Sequence, residues 1–120
     1  AITGLNPHCE SNLRNNEEKK IIKPAIKTLK KNYSNIFGPY STDSLFMSDN
    51  IKNFDVVVGM YHDQVLTPIK TMHNFNAINI TLGLPFIRIS PDHGPNSRMI
   101  GKNKSNPESL ISAVKFLESQ

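Results

Sequence analysis

Apolar positions fall along this chain in blocks of two different periods. Ile21, Ile22, Ala25, Ile26 and Leu29 recur at helical spacing with lysines between them, which predicts an amphipathic helix from Glu17 onward. Pro24 interrupts that pattern. Having no amide hydrogen, it either kinks the helix or begins a new one. Asp55-Val56-Val57-Val58-Gly59-Met60 is β-branched without alternation, the pattern of a strand buried on both faces in a parallel sheet. Ile2 to Leu5 predicts a short strand running into the loop Asn6-Pro7-His8-Cys9-Glu10. Ile78 to Leu82 and Phe86 to Ile89 predict two more strands, separated by Gly83-Leu84-Pro85. Gly38-Pro39 marks a turn, and Ser41 to Asn53 reads as loop and short helix. At the end of the chain Asn106 suits an N-cap, Pro107 the first helical position and Glu108 the positive end of the dipole. Leu110, Ile111, Val114 and Leu117 then make one apolar stripe. Strands alternating with helices predict a layered α/β fold, with no repeat or linker to divide the 120 residues.

Composition narrows the classes. Hydrophobic residues are 38% and charged residues 20%, as in a globular chain, and no apolar run approaches the roughly 20 residues that cross a bilayer. A single cysteine, Cys9, makes no internal disulfide and fits a reducing cytoplasm. The net charge of +4 is concentrated between Lys19 and Lys31, where helical spacing makes it a solvated face rather than a nucleic-acid surface. The opening Ala1-Ile2-Thr3-Gly4-Leu5 starts on a predicted strand without a Met, an expectation that sequence upstream is missing.

Ligands of open α/β sheets gather at the carboxyl ends of strands. Two apolar segments deliver a histidine there: Leu5 leads to His8 and Met60 to His62. Imidazole is the commonest metal ligand, and Asp63 and Asp43 are carboxylates able to orient it or complete a site. The competing reading is of ordinary loop or capping histidines. Lys70, Asn79 and Arg88 follow on three successive elements, and the two cations suit a phosphate or carboxylate, if they are not plain surface charges. Arg88 stands out because Phe86, Ile87 and Ile89 flank it. His73 reads as a surface residue and Cys9 as a small buried thiol. No Gly-x-Gly-x-x-Gly, Walker sequence, Gly-x-Ser-x-Gly or Cys-x-x-Cys occurs.

Several segments together resemble the 4-hydroxythreonine-4-phosphate dehydrogenase family, also called the pyridoxal phosphate biosynthetic protein family. They are Gly4-Leu5-Asn6-Pro7-His8, Glu17-Glu18 with Ile22-x-Pro24-Ala25-Ile26, and Gly38-Pro39-Tyr40-x-x-Asp43-x-x-Phe46. Met60-Tyr61-His62-Asp63-Gln64, Asn79 through Arg88 and Ser90-Pro91-Asp92-His93-Gly94 complete the set. The resemblance implies a three-layer α/β/α fold like that of the isocitrate and isopropylmalate dehydrogenases, of which residues 1–120 are the later part. It also implies a homodimer in which each subunit completes the other's active site. Of the three metal-binding histidines of the family, two match His8 and His62; the divalent metal is zinc, magnesium or cobalt. Substrate contacts carry over to Lys70, Asn79 and Arg88, acidic residues near the metal to Asp43 and Asp63, and a dinucleotide-contacting loop to His93-Gly94. The implied reaction is oxidation of 4-phosphooxy-L-threonine by NAD or NADP, then decarboxylation to 3-amino-2-oxopropyl phosphate, a step toward vitamin B6. Asp43, Asp63 and Lys70 are the candidates for proton transfer.

The chain departs from that pattern twice. Cys9 to Asn16 replaces a glycine-rich loop, and Pro95 removes a backbone donor where dinucleotide contacts are expected. Two alternatives follow: a relative that oxidises phosphorylated threonate, and a non-catalytic remnant of the same fold.

Overall fold

The computed structural model describes residues 1–9 and 16–120. The glycine-poor stretch at 10–15, including Glu10, lies outside the described residues. The chain forms two compact units, Ala1–Pro68 and Ile69–Gln120.

In the first unit three extended segments lie side by side. Ile2 is bridged to Val58 and Thr3 to Tyr40, both in parallel. Thr3 N–H donates to Val58 O at 3.0 Å and Val58 N–H to Ala1 O at 2.9 Å. On the other side Ile2 N–H donates to Phe37 O at 2.8 Å and Gly4 N–H to Tyr40 O at 2.9 Å. The direction of pairing agrees with the sequence; the extent does not. The predicted strand at Asp55–Met60 contracts to a bridge at Val58, and Val56 and Val58 are 66% and 48% exposed instead of buried on both faces. Their side chains line an open cavity of about 530 Å³ with Ile2, Leu29 and Phe37, where a second packed layer was expected. The strand expected at Ile2–Leu5 likewise survives only as the bridges of Ile2 and Thr3. Gly38-Pro39 does not turn the chain. It carries a cis peptide inside the extended segment, with φ +139° at Gly38 and Ile2 O where a Cβ would stand.

The basic segment forms a π-helical turn, Glu18–Ile22, followed by α1, Lys23–Leu29. Pro24 sits in the first turn of α1, so it begins a new segment. Without its N–H the carbonyl one turn earlier loses a donor, and Lys23 N–H reaches back to Glu18 O in a wider turn. The widened turn puts Glu18, Ile22 and Ile26 on the buried face and leaves Ile21 exposed. The lysines between Lys19 and Lys31 are exposed. Two short helices follow, α2 (Thr42–Leu45) and α3 (Ser48–Ile51), with Leu45 buried beneath them. Then α4, His62–His73, starts in this unit and ends in the next.

The second unit is an antiparallel pair, β1 (Ile78–Thr81) and β2 (Arg88–Pro91), packed against α5 (Glu108–Glu118). Thr81 pairs with Arg88, which shifts the second strand two residues beyond the predicted Phe86–Ile89. Phe86 and Ile87 fall in the connection and are exposed. Pro107, and not Asn106, stands at the N-cap, one residue later than expected; Asn106 Oδ1 accepts the Glu108 N–H at 2.8 Å from the position before it. The face of α5 that packs is not the large apolar stripe: Ser109 and Ala113 are buried, while Leu110, Ile111, Val114 and Leu117 are about half exposed. Ser109 decides this, because its hydroxyl binds Ala77 O and accepts from Asp92 N–H.

Candidate functional site

His8 ends a run anchored at Gly4, Asn6 and Pro7. Gln64 Nε2 donates to Gly4 O at 2.6 Å, and Asn6 N–H donates to Glu18 Oε1 at 2.6 Å. The Ser41 hydroxyl binds Pro7 O, and Asn6 Oδ1 accepts His8 N–H at 3.0 Å. Glu18 is 1% exposed, yet the Asn6 N–H holds its carboxyl below the ordinary range against the opposing effect of burial. Gly4 is needed because a Cβ there would stand 2.5 Å from Cys9 Sγ. Burial raises the Cys9 thiol, the opposite of an activated nucleophile, although the residue is half-buried and not the buried thiol expected.

Asp43 lies near enough to His8 for their charges to interact. Its Oδ1 accepts from Ser44 Oγ (3.0 Å) and Ser44 N–H (2.6 Å) and lies 2.6 Å from Ser41 Oγ, whose single proton it shares with Pro7 O. These donors, the Ser41 hydroxyl first, hold the carboxyl below its usual range. His62 Nδ1 is 2.8 Å from Asp63 Oδ1, and the imidazole is 75% exposed. With the Nδ1 proton shared toward Asp63, the Nε2 lone pair is available to a ligand.

In the second unit, Lys70 on α4 forms an ion pair with Asp92 Oδ2 at 2.9 Å and also binds Asp92 O. Arg88 opens β2 instead of lying inside an apolar strand, and its Nη1 donates to Thr81 Oγ1 at 2.8 Å. Asn79 is exposed on β1. His93 and Gly94 line a cavity of about 250 Å³ with Phe75, Pro95 and Ser105. That is below the ~300–1,000 Å³ of drug-sized ligand pockets. His73 is exposed, as expected.

The donor chemistry fits a divalent metal: an exposed imidazole oriented by a carboxylate, and a second beside an ionised aspartate. The number of donors falls short, since no group of three His, Cys, Asp or Glu converges among the described residues. Sequence reasoning missed the residues that hold these side chains: Thr3, Glu18, Ser41, Gln64 and Asp92. For Glu18 a signal existed, a carboxylate one turn before Ile22 and two before Ile26. For Thr3 and Asp92, and for the bonds of Gln64 to Gly4 and of Ser41 to Pro7, it did not, because those partners are distant in sequence.

Against known proteins, the model of the family described as pyridoxal phosphate biosynthetic protein PdxA matches residues 1–117. A 4-hydroxythreonine-4-phosphate dehydrogenase from Sulfurihydrogenibium sp. is 51% identical over 97% of this chain and 36% of its own length. One from Bradyrhizobium diazoefficiens is 47% identical over 97% and 34% respectively. The solved 4-hydroxythreonine-4-phosphate dehydrogenase of Burkholderia phymatum superposes with a TM-score of 0.68 at 36% identity, over 96% of this chain and 36% of that one. This chain thus spans about a third of the length of these relatives.

Proposed function

The chain belongs to the pyridoxal phosphate biosynthetic protein PdxA family, and on that premise we propose that it supplies part of a 4-hydroxythreonine-4-phosphate dehydrogenase. The observation that carries this reading lies in the first unit. The segments leading to His8 and to His62 are joined there by buried hydrogen bonds, while both imidazoles stay exposed. Scaffold residues are buried and ligand-type residues are presented, which is the arrangement a preorganised site requires.

In this reading His8 and His62 hold a divalent metal, with further donors outside the described residues. Bound there, the metal would polarise the substrate alcohol, and NAD or NADP would accept the hydride. Asp63 fixes the tautomer of His62. Asn79 and Arg88 hold the anionic groups of the phosphorylated substrate, Arg88 with the N–H groups that Thr81 does not use. The hydrogen bonds on Asp43 stabilise its carboxylate and make it a weaker base than an ordinary aspartate; Asp63, and Lys70 once its bond to Asp92 opens, are the other two candidates for the alcohol proton. Oxidation places a ketone β to the carboxylate, and loss of carbon dioxide gives 3-amino-2-oxopropyl phosphate. His93 and Gly94 contact the dinucleotide, and a second copy completes each site.

The test is NAD(P)H formation by the natural protein with 4-phosphooxy-L-threonine, and with phosphorylated threonate as the competing substrate. His8→Ala and His62→Ala are each expected to lower metal-dependent turnover on the order of 100-fold or more. Unchanged turnover in either variant removes that residue from the site, and turnover of the threonate alone moves the substrate assignment.

A further inference from the structure

Gln64 makes three side-chain hydrogen bonds in the interior of the first unit. It is 4% exposed, and Thr3 beside it is fully buried. Its Oε1 accepts the Met60 N–H at 2.7 Å and the Thr3 hydroxyl at 2.8 Å, and its Nε2 donates to Gly4 O at 2.6 Å. The Met60 N–H is shared with Thr3 Oγ1 at 3.2 Å. A backbone N–H only donates and a carbonyl only accepts, so these partners fix which way the amide faces. The same three bonds also span the space between two segments. Met60 lies two residues before His62, and Gly4 lies four before His8.

We propose that Gln64 is a positioning residue, an amide clamp that sets the His8 loop against the turn carrying His62. The proposal rests on the metal-binding reading of those two histidines. It depends on the amide, not on bulk. Methionine is of similar size but removes the Gln64 donor from Gly4 O and leaves the Met60 N–H only its longer contact to Thr3 Oγ1, while glutamate turns a carboxylate oxygen toward Gly4 O. Backbone pairing of Ile2 and Thr3 with Val58 aligns the two segments upstream; beyond it, the anchors nearer His8, Glu18 on Asn6 N–H and Ser41 on Pro7 O, come from other elements and do not reach α4. Without the clamp the two imidazoles keep their local partners, and their mutual register rests on the upstream pairing with Val58 alone.

The experiment compares the natural protein with Gln64→Met, Thr3→Val and Thr3→Ser, in metal-free form and titrated with Zn²⁺. Two quantities are read: the Zn²⁺ dissociation constant by calorimetry, and the imidazole proton signals of His8, His62, His73 and His93 by NMR. Gln64→Met is expected to weaken Zn²⁺ binding about 10- to 100-fold. It should also shift the His8 and His62 signals of the metal-free protein while leaving His73 in place. Thr3→Val should do the same more weakly, and Thr3→Ser, which keeps the hydroxyl, should restore native values. A folded Gln64→Met with native Zn²⁺ affinity and native His8 and His62 signals overturns the proposal. Should Gln64→Met not fold, native signals in folded Thr3→Val overturn it equally, and an unfolded Thr3→Val beside a native Thr3→Ser supports the clamp. If the unaltered protein binds no Zn²⁺, the metal reading fails instead, and the metal-free histidine signals alone decide the role of Gln64.

Discussion

Glu18 shows how much one side chain contributes to the placement of the His8 run. Its carboxylate is buried on the same stripe as Ile22 and Ile26 and accepts the Asn6 N–H. Because its folded pKa is lowered from 4.5, its stabilisation is fully present above that value and is lost as pH falls through the lower one. Denaturant titrations between roughly pH 3 and 6 should therefore show the native protein losing stability toward acid. Glu18→Gln should have a flatter profile across that window, and an equally steep one would show that another group carries the acid sensitivity. At this scale the candidate ligands were legible, since His8, His62, Asp43 and Asp63 belong to motifs contiguous in the chain. Their holders were not. Nothing local to Gln64 or Thr3 says that they bond across some sixty residues, to which hydrogen bonding contributes only after the chain has closed that loop.

Among the elements, α5 and the two strands depend on a hydroxyl. Ser109 is 1% exposed and satisfies both Ala77 O and Asp92 N–H. Ser109→Ala keeps helix propensity and strands two backbone groups, which should cost about 1–3 kcal/mol. A shifted denaturation midpoint with an unchanged slope would check this, and an unmoved midpoint would mean that water replaces the hydroxyl. The end of the helix was readable because capping is local: Asn106 and Pro107 act within one turn. Its orientation was not, because the apolar period marked Leu110, Ile111, Val114 and Leu117, and the strands took the small, bonded face instead. The same reasoning covers Val56 to Val58. A β-branched run encodes a readiness to be covered, and the cover is a property of whatever packs there.

For the molecule as a whole, much large apolar surface remains open among the described residues. Val56 is 66%, Leu110 54% and Ile87 53% exposed. The 120-residue chain produced alone should accordingly bind an apolar fluorescent dye strongly, several-fold more than the natural protein per unit mass. Weak dye fluorescence would show that these side chains find cover within the isolated chain. No helix among the described residues is long and apolar enough to cross a membrane, so that surface is not a helical span.

The sequence by itself determined the α/β class, the order of most elements, the start of α5, the break at Pro24 and the family, because each rests on residues that are neighbours in the chain. Tertiary structure alone decided three things. It chose the packed face of α5, reduced the valine-rich strand to a single bridge, and gathered Thr3, Gly4, Met60 and Gln64 into one buried clamp. The physical reason is the same for all three. Burial and long-range hydrogen bonds depend on what lies opposite a residue in space, and local pattern states only what that residue can accept.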